Sequence, residues 1–256
     1  MEVHHHSHLA SGETHTSRKK WAHYFWEFFM LFLAVVCGFL TENIREHRIE
    51  KMKEGQFISS MVKELEADTL EINDVLKDSS SFHGYDSLIH IVFYNEPGKI
   101  DTRMAYYLFW NYTTRHQYAT LNMNTFAQLK NSGNMRLIHK QEVIDSLYSL
   151  DNLVSVVNDQ LKYITDHYLP ESERLTNKIF NQKYNLERSG SDLRKYYMDL
   201  PQAPLLMTHD ASMIIEYGNS LMDIKTSFRV YLRMLGKLNI KIKRITLFLK
   251  EEYHLK

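Results

Sequence analysis

The 256-residue chain has one cysteine, four prolines and nine glycines, and each shortage closes off a class of protein. A single thiol, Cys37, can form no internal disulfide and no cysteine pair for zinc or redox cycling. So few breakers over this length favour long helices over the short strands and tight turns of a β-sandwich or barrel. Excess charge is absent too: 31 basic residues balance 31 acidic ones, so no global field draws the chain to nucleic acid. Catalytic signatures are missing as well. There is no Walker-type phosphate loop, no glycine-rich dinucleotide loop, no serine elbow and no H-E-x-x-H. Zinc-finger spacing and RNA-binding aromatic motifs do not occur, and residues 126–137 around Gly133 suggest a helix-turn-helix only vaguely. The expectation is an all-α protein that is not an enzyme, holds no cofactor and binds no nucleic acid.

One apolar run stands out. Residues 21–44 read WAHYFWEFFMLFLAVVCGFLTENI, with Glu27 the only charge ahead of Glu42. At ~1.5 Å per residue, 24–40 alone covers ~25 Å, and the flanks extend it past the ~30 Å hydrocarbon core of a bilayer. Trp21, Tyr24 and Trp26 fall where an aromatic belt meets headgroups, with Arg18, Lys19 and Lys20 before them and Arg45 and Arg48 after the run. The reading is a transmembrane helix over 21–44, its apolar body carried by Phe28, Leu31, Leu33, Val35, Phe39 and Leu40. A buried core helix is disfavoured by the charge on both flanks. A cleaved signal peptide lacks an A-x-A-like site beyond Leu33, and Ala34-Val35-Val36 is not a lipoprotein approach to Cys37. Glu27 lies near the helix end, and no second charged residue in the span completes a proton path, so it reads as an interfacial or protonated side chain. Arg45, Arg48, Lys51 and Lys53 oppose the basic N-terminal tail in the positive-inside comparison. Because long domains translocate largely regardless of charge, the expected orientation is N-terminus inside and C-terminal domain in the periplasm.

Beyond the span, periodicity dictates helices. Ile58, Val62, Leu65, Ile72 and Leu76 recur on one face without an intervening proline, predicting that the anchor runs on as a stalk helix over about 45–78. Ser79, Ser80, Ser81 and Gly84 mark a break, and the apolar run 88–94 stops at the turn Asn95-Glu96-Pro97-Gly98. Asp101 reads as the N-cap of a helix carrying Met104, Tyr107, Leu108 and Trp110, and 125–131 as a short helix closed by Gly133. Val143, Leu147, Leu150, Val154, Val157, Leu161, Ile164 and Tyr168 alternate by four and three, after which Pro170 permits a kink or stop. Residues 181–204 are polar and irregular and read as a long connection.

The same heptad spacing organises a final helix of about 210–250, capped by Asp210, through Ile214, Tyr217, Leu221, Ile224, Phe228, Tyr231, Leu235, Leu238, Ile242, Ile245 and Leu249. Leu238, Ile240 and Ile242 also alternate as a strand would, but heptads on both sides outweigh that pattern. Three apolar seams in one chain can satisfy one another as an antiparallel long-helix bundle, the arrangement expected here over pairing between chains.

Two clusters invite chemistry. His4, His5, His6 and His8, with His15, are the candidates for transition-metal binding, but a tail without a preformed cage holds metal weakly, so no resident metal is expected. Glu251 and His254 make the single Glu-x-x-His, where a di-iron bundle needs two. Lys225, Arg229, Arg233, Lys237, Lys241 and Arg244 form a basic stripe on the last helix. It could contact anionic headgroups or an acidic partner. The plainer expectation is a solvated face, partly neutralised by the acidic stretch Glu64, Glu66, Asp68, Glu71, Asp74 and Asp78 of the stalk.

The opening MEVHHHSH, the basic SRKKW, the span FWEFFMLFLAVVCGFLTENIREH, the helix MVKELEADT and the segment FAQLKNSGNMRLI resemble a bacterial family of single-pass inner-membrane proteins with an N-terminal anchor and a helical domain of unknown function. The resemblance covers mainly the first third and the segment around Gly133. It implies an inner-membrane location and a helical domain, and supplies no active-site residues. The functional expectation is a membrane-anchored interaction or scaffold protein of the cell envelope, with the lipid bilayer and an envelope protein or a second copy as partners. The alternative is a sensory module signalling through the stalk helix to a partner protein.

Overall fold

Helix α1 (Ser17–Lys77) opens the computed structural model, which describes residues 17–77, 81–114, 116–186 and 192–255. Two compact units divide between Lys53 and Glu54. In the first, side chains from 23 to 44 are exposed, Val36 alone being partly covered. Aromatic residues four apart stack along the helix surface, Trp21 on Phe25, Phe25 on Phe29 and Phe28 on Phe32, with ring centroids 6.3–6.5 Å apart. The Thr41 hydroxyl donates to the Cys37 carbonyl at 2.8 Å, and Arg45 donates to Glu42 at 3.0 Å. Among the described residues this is the one helix long and apolar enough to cross a membrane.

The second unit is all-α. After α1 come α2 (Ser81–Tyr94), α3 (Thr102–Leu108), α4 (Asn124–Asn131), α5 (Gln141–Tyr163), α6 (Leu169–Ile179), α7 (Lys183–Leu186), α8 (Leu193–Met198) and α9 (Ala211–Glu252). The described residues contain no strand, only an isolated antiparallel bridge between Phe180 and Leu206. Helix α9 is the spine, packed by α2, α5 and α6. Every one of its eleven heptad residues from Ile214 to Leu249 is buried, so the seam is filled from within the chain. Burying one such side chain contributes ~1.5–3 kcal/mol before chain entropy is charged against it.

Within this unit α1 runs antiparallel to α9. Tyr253 donates to Glu54 at 2.6 Å, Lys250 pairs with Glu66 at 2.7 Å and Asn239 donates to Asn73 at 2.8 Å. Ile58, Val62, Leu65 and Ile72 are buried. Capping follows the residue chemistry: Asp101 accepts from the Met104 N–H at 3.2 Å and Asp210 from the Ser212 N–H at 2.8 Å. Gly133, two residues past the end of α4, has φ = 70°, the left-handed geometry that favours glycine there.

Two features depart from the pattern read in the sequence. The presumed connection 181–204 holds helices α7 and α8, organised around Tyr106. That hydroxyl accepts from the Asn181 N–H at 2.7 Å and donates to the Leu205 carbonyl at 2.9 Å, within a ring cluster of Phe180, Tyr184 and Tyr197. Helices of four and six residues are too short to show a 3.6-residue period. Second, two wide π-turns, Phe109–Thr113 and Ile164–Tyr168, interrupt the α geometry. The second carries α5 into α6 just ahead of Pro170, so the proline does not stop the helical run: the widened turn spans the Asp166 carbonyl, four residues back, that its ring would otherwise crowd.

Candidate functional site

Where the first π-turn faces the start of α6, the bundle leaves a cavity of about 370 Å³. Its inner wall is Phe109, Ile224, Ser172 and Thr176, all buried, and its rim includes Thr114, Glu173, Asn177 and Gln182, all exposed. Ser172 and Thr176 lie one turn apart on α6, on the face that also buries Leu175 and Ile179, so two hydroxyls enter a position where apolar residues would close the packing. Thr113 and Thr114 donate to the carbonyls of Phe109 and Trp110, each at 2.8 Å, the same back-bond that Thr41 and Thr69 make within α1. Gln182 donates to Asn177 at 3.1 Å across the rim. Trp110, also in the wall, has a buried indole N–H with no acceptor among the described residues, a cost of ~1–3 kcal/mol.

His116 forms one side of the cavity. Its Nε2 lies 2.7 Å from the Tyr85 hydroxyl, and its ring is nearly parallel to those of Phe228 and Tyr118, with centroids at 5.1 and 6.2 Å. Burial lowers its pKa from 6.5 to about 4, and burial also raises that of Tyr85 well above the usual phenol range. Both groups are therefore neutral near pH 7. With the phenol as donor, Nε2 accepts and the ring proton resides on Nδ1. Behind the cavity, the fully buried Tyr217 has its pKa raised by burial, with the Thr176 and Thr113 hydroxyls opposing that rise. A neutral imidazole carries one donor and one acceptor nitrogen, which suits it to hydrogen bonding beside the hydroxyls and amides of the wall.

His116 begins a strap without regular secondary structure, 116–123, and the strap and the first turn of α4 are bolted to α1 by three carboxylates one turn apart. Glu71 accepts from the Thr120 N–H at 2.6 Å, Asp68 from the Asn122 N–H at 2.9 Å, and Glu64 from the Thr125 N–H at 3.1 Å. From α9 the Tyr231 hydroxyl meets the Ala119 N–H at 3.2 Å. The sequence predicts a solvated basic stripe partly neutralised by this acidic face; Glu71, Asp68 and Glu64 also satisfy N–H groups of the strap and of the first turn of α4. Glu66 does pair with a lysine of α9, but that lysine is Lys250, outside the stripe.

The stripe itself is split. Lys225 is mostly covered and pairs with Asp86 on α2, and Lys241 donates to the Ser149 carbonyl on α5 at 2.9 Å. Arg229, Arg233, Lys237 and Arg244 are exposed. Lys237, Lys241 and Arg244 edge an open trench between α5 and α9. Elsewhere, Trp21, Tyr24, Trp26, Phe28, Leu31, Leu33, Val35, Phe39 and Leu40 are all exposed, and Glu27 lies 3.3 Å from His23. His4, His5, His6, His8 and His15 lie outside the described residues, as does Asp78. No group of three or more His, Cys, Asp or Glu positioned for a metal occurs among the described residues.

The cavity was not read from the sequence. Its signal was present in Ser172 and Thr176, hydroxyl residues four apart beside Leu175 and Ile179, but a short polar interruption after Pro170 reads as a helix start until the second π-turn aligns it with 109–116. Compared with known proteins, the chain matches no family model, no curated protein and no solved structure.

Proposed function

We propose that the protein is a single-pass, membrane-anchored helical interaction protein of the bacterial cell envelope, held in the inner membrane by 21–44 with its bundle in the periplasm. The observation that carries this reading is the first unit. Some two dozen consecutive residues are almost wholly exposed although rich in Phe, Leu, Val and Trp, and leaving that much apolar area in water would cost ~20–30 kcal/mol at 25 cal/mol per Å². A bilayer removes the cost; charged residues on both sides of the run define its limits. The heptad seam of α9 is already filled within the chain, so partner contact falls to exposed surface such as the α5–α9 trench.

The cavity supports a second reading, a sensory module whose ligand is felt by α1. His116 touches the cavity and begins the strap that Glu71, Asp68 and Glu64 fasten to α1.

Location and sidedness are tested together. Membranes from cells expressing Cys37→Ser/Ser155→Cys are extracted with alkaline carbonate, and intact spheroplasts are treated with a membrane-impermeant maleimide; Ser155 is exposed on α5. Retention in the pellet with labelling of intact spheroplasts is the expected result. Release by carbonate would remove the anchor, and labelling only after lysis would reverse the orientation.

A further inference from the structure

We propose that the cavity between the Phe109–Thr113 turn and α6 is a binding site for a neutral, polyhydroxylated ligand of the sugar class. The proposal goes beyond the anchored interaction protein and does not depend on it.

Three properties of the wall select this chemistry. The first is charge. Glu173 is the only formally charged side chain among the described lining residues, and no described lysine or arginine faces the space. Among the described lining residues, a phosphate or carboxylate ligand would meet the Glu173 carboxylate and no lysine or arginine to offset it, at a cost that grows as water is excluded. The second is the balance of donors and acceptors. The Thr114 hydroxyl spends its proton on the Trp110 carbonyl and keeps acceptor capacity, while the Asn177 amide, whose oxygen is engaged by Gln182, keeps N–H donors. His116 borders the space as a neutral imidazole and so adds polarity without charge. Hydroxyl groups both donate and accept, so they can satisfy such a mixed wall where a purely donating or purely accepting ligand cannot.

The third property is the apolar floor. Phe109, Trp110, Leu169 and Ile224 supply apolar lining beside the hydroxyls and amides, and a pyranose ring offers both kinds of surface, with C–H groups on its faces and hydroxyls on its edge. At about 370 Å³ the space lies at the small end of the ~300–1,000 Å³ range of ligand sites, the size of a monosaccharide or disaccharide rather than a large cofactor. Phe109, Trp110 and Thr113 of the wall belong to a π-turn, a geometry that recurs at functional positions because it realigns side chains at the expense of regular hydrogen bonding.

Trp110 is a built-in reporter, because the chain has only three tryptophans and the other two, Trp21 and Trp26, belong to the anchor. Full-length Trp21→Phe/Trp26→Phe protein in lipid nanodiscs, free of sugar-based detergent, is titrated with glucose, N-acetylglucosamine and trehalose, and with glucose 6-phosphate as the anionic control. The expected result is a saturable change in Trp110 emission with at least one neutral sugar. Affinity should fall ~10-fold or more, equivalent to ~1.4 kcal/mol, for the phosphorylated sugar and for the exposed rim variants Asn177→Ala and Gln182→Ala. No response to any neutral sugar overturns the proposal, as do tighter binding of glucose 6-phosphate and titrations unchanged in both rim variants. Circular dichroism of the rim variants must match the parent. Carbonate extraction is indifferent to all these outcomes, so failure here leaves the anchored-protein reading standing.

Discussion

Both carboxylate oxygens of Asp68 accept the backbone N–H of Asn122, at 2.9 and 3.1 Å, from a position only 2% exposed. The interaction joins a helix that carries the apolar span to a strap that begins at the cavity. Neither residue belongs to an apolar seam. Burial pushes the Asp68 pKa above the ordinary carboxylate range, the Asn122 N–H pulls it down, and the neighbouring Glu71 and Glu64 raise it further.

Replacing Asp68 should therefore separate hydrogen bonding from charge. Asp68→Asn keeps an oxygen for the Asn122 N–H and removes a poorly solvated charge, so stability at pH 7 should hold or rise. Asp68→Ala leaves the N–H unpaired and should cost ~1–3 kcal/mol. Because the folded-state pKa is raised, the wild type should gain stability relative to Asp68→Asn as pH falls from that raised value toward the ordinary one near 4. Urea melts of the two variants at several pH values measure both effects; equal destabilisation by Asn and Ala would remove the carboxylate from the account.

His116 should act with the opposite sign. Its folded pKa of about 4 lies below the ordinary 6.5, so the unfolded chain binds more protons between these values. The contribution is present above pH 6.5 and is lost as pH falls through that window, up to ~3 kcal/mol in all. His116→Phe, which keeps the stack on Phe228 but cannot titrate, should flatten this part of the stability profile. A profile as steep as the wild type's would place the acid sensitivity elsewhere.

Why the helices were legible and the cavity was not follows from what each requires. Ile214 to Leu249 state one period eleven times, and all eleven are buried; Asp101, Asp210 and Gly133 act through local backbone geometry that residue type alone predicts. The strap contacts pair residues about fifty to sixty positions apart, joining helical carboxylates to backbone N–H groups of any residue type, so no motif announces them. The cavity brings the π-turn 109–113 against α6 and Ile224 of α9. A one-residue change of register is invisible in composition, and it decides which side chains meet. Likewise, the acidic side chains of α1 were legible as a face, but not the partners that face would find.

Two glycines of α9 offer a test of packing against propensity. A Cβ at Gly218 would lie 2.7 Å from Phe93 Cε1 and 2.9 Å from Val92 Cγ1, whereas at Gly236 it would meet nothing within 4 Å. Alanine gains ~1 kcal/mol of helix propensity at either place. At Gly218 the buried, β-branched Val92 has little freedom to yield, and overpacking of ~1–3 kcal/mol outweighs that gain. Gly218→Ala should lower the melting temperature and Gly236→Ala raise it. The same sign for both would show that α2 can move off α9 without cost.

Leu235 tests the spine most directly. It is fully buried at the middle of the α9 seam, where aspartate would bring a charge without an arranged partner into an apolar layer. The loss of a buried leucine, ~2–5 kcal/mol on truncation alone, adds to the desolvation of the carboxylate, which the chain can reduce by protonating it or by unfolding locally. Leu235→Asp should therefore destabilise the bundle by ~4 kcal/mol or more, and part of the loss should be recovered at low pH, where the carboxyl is neutral. Leu247→Asp, on the same helix but 60% exposed, should stay within ~0.5 kcal/mol of the parent. Denaturant melts of both full-length variants in nanodiscs, followed by far-ultraviolet circular dichroism, supply the comparison. Equal stability of the two variants would mean that α9 does not bury the face that its heptads define, and the bundle assignment would fall with it.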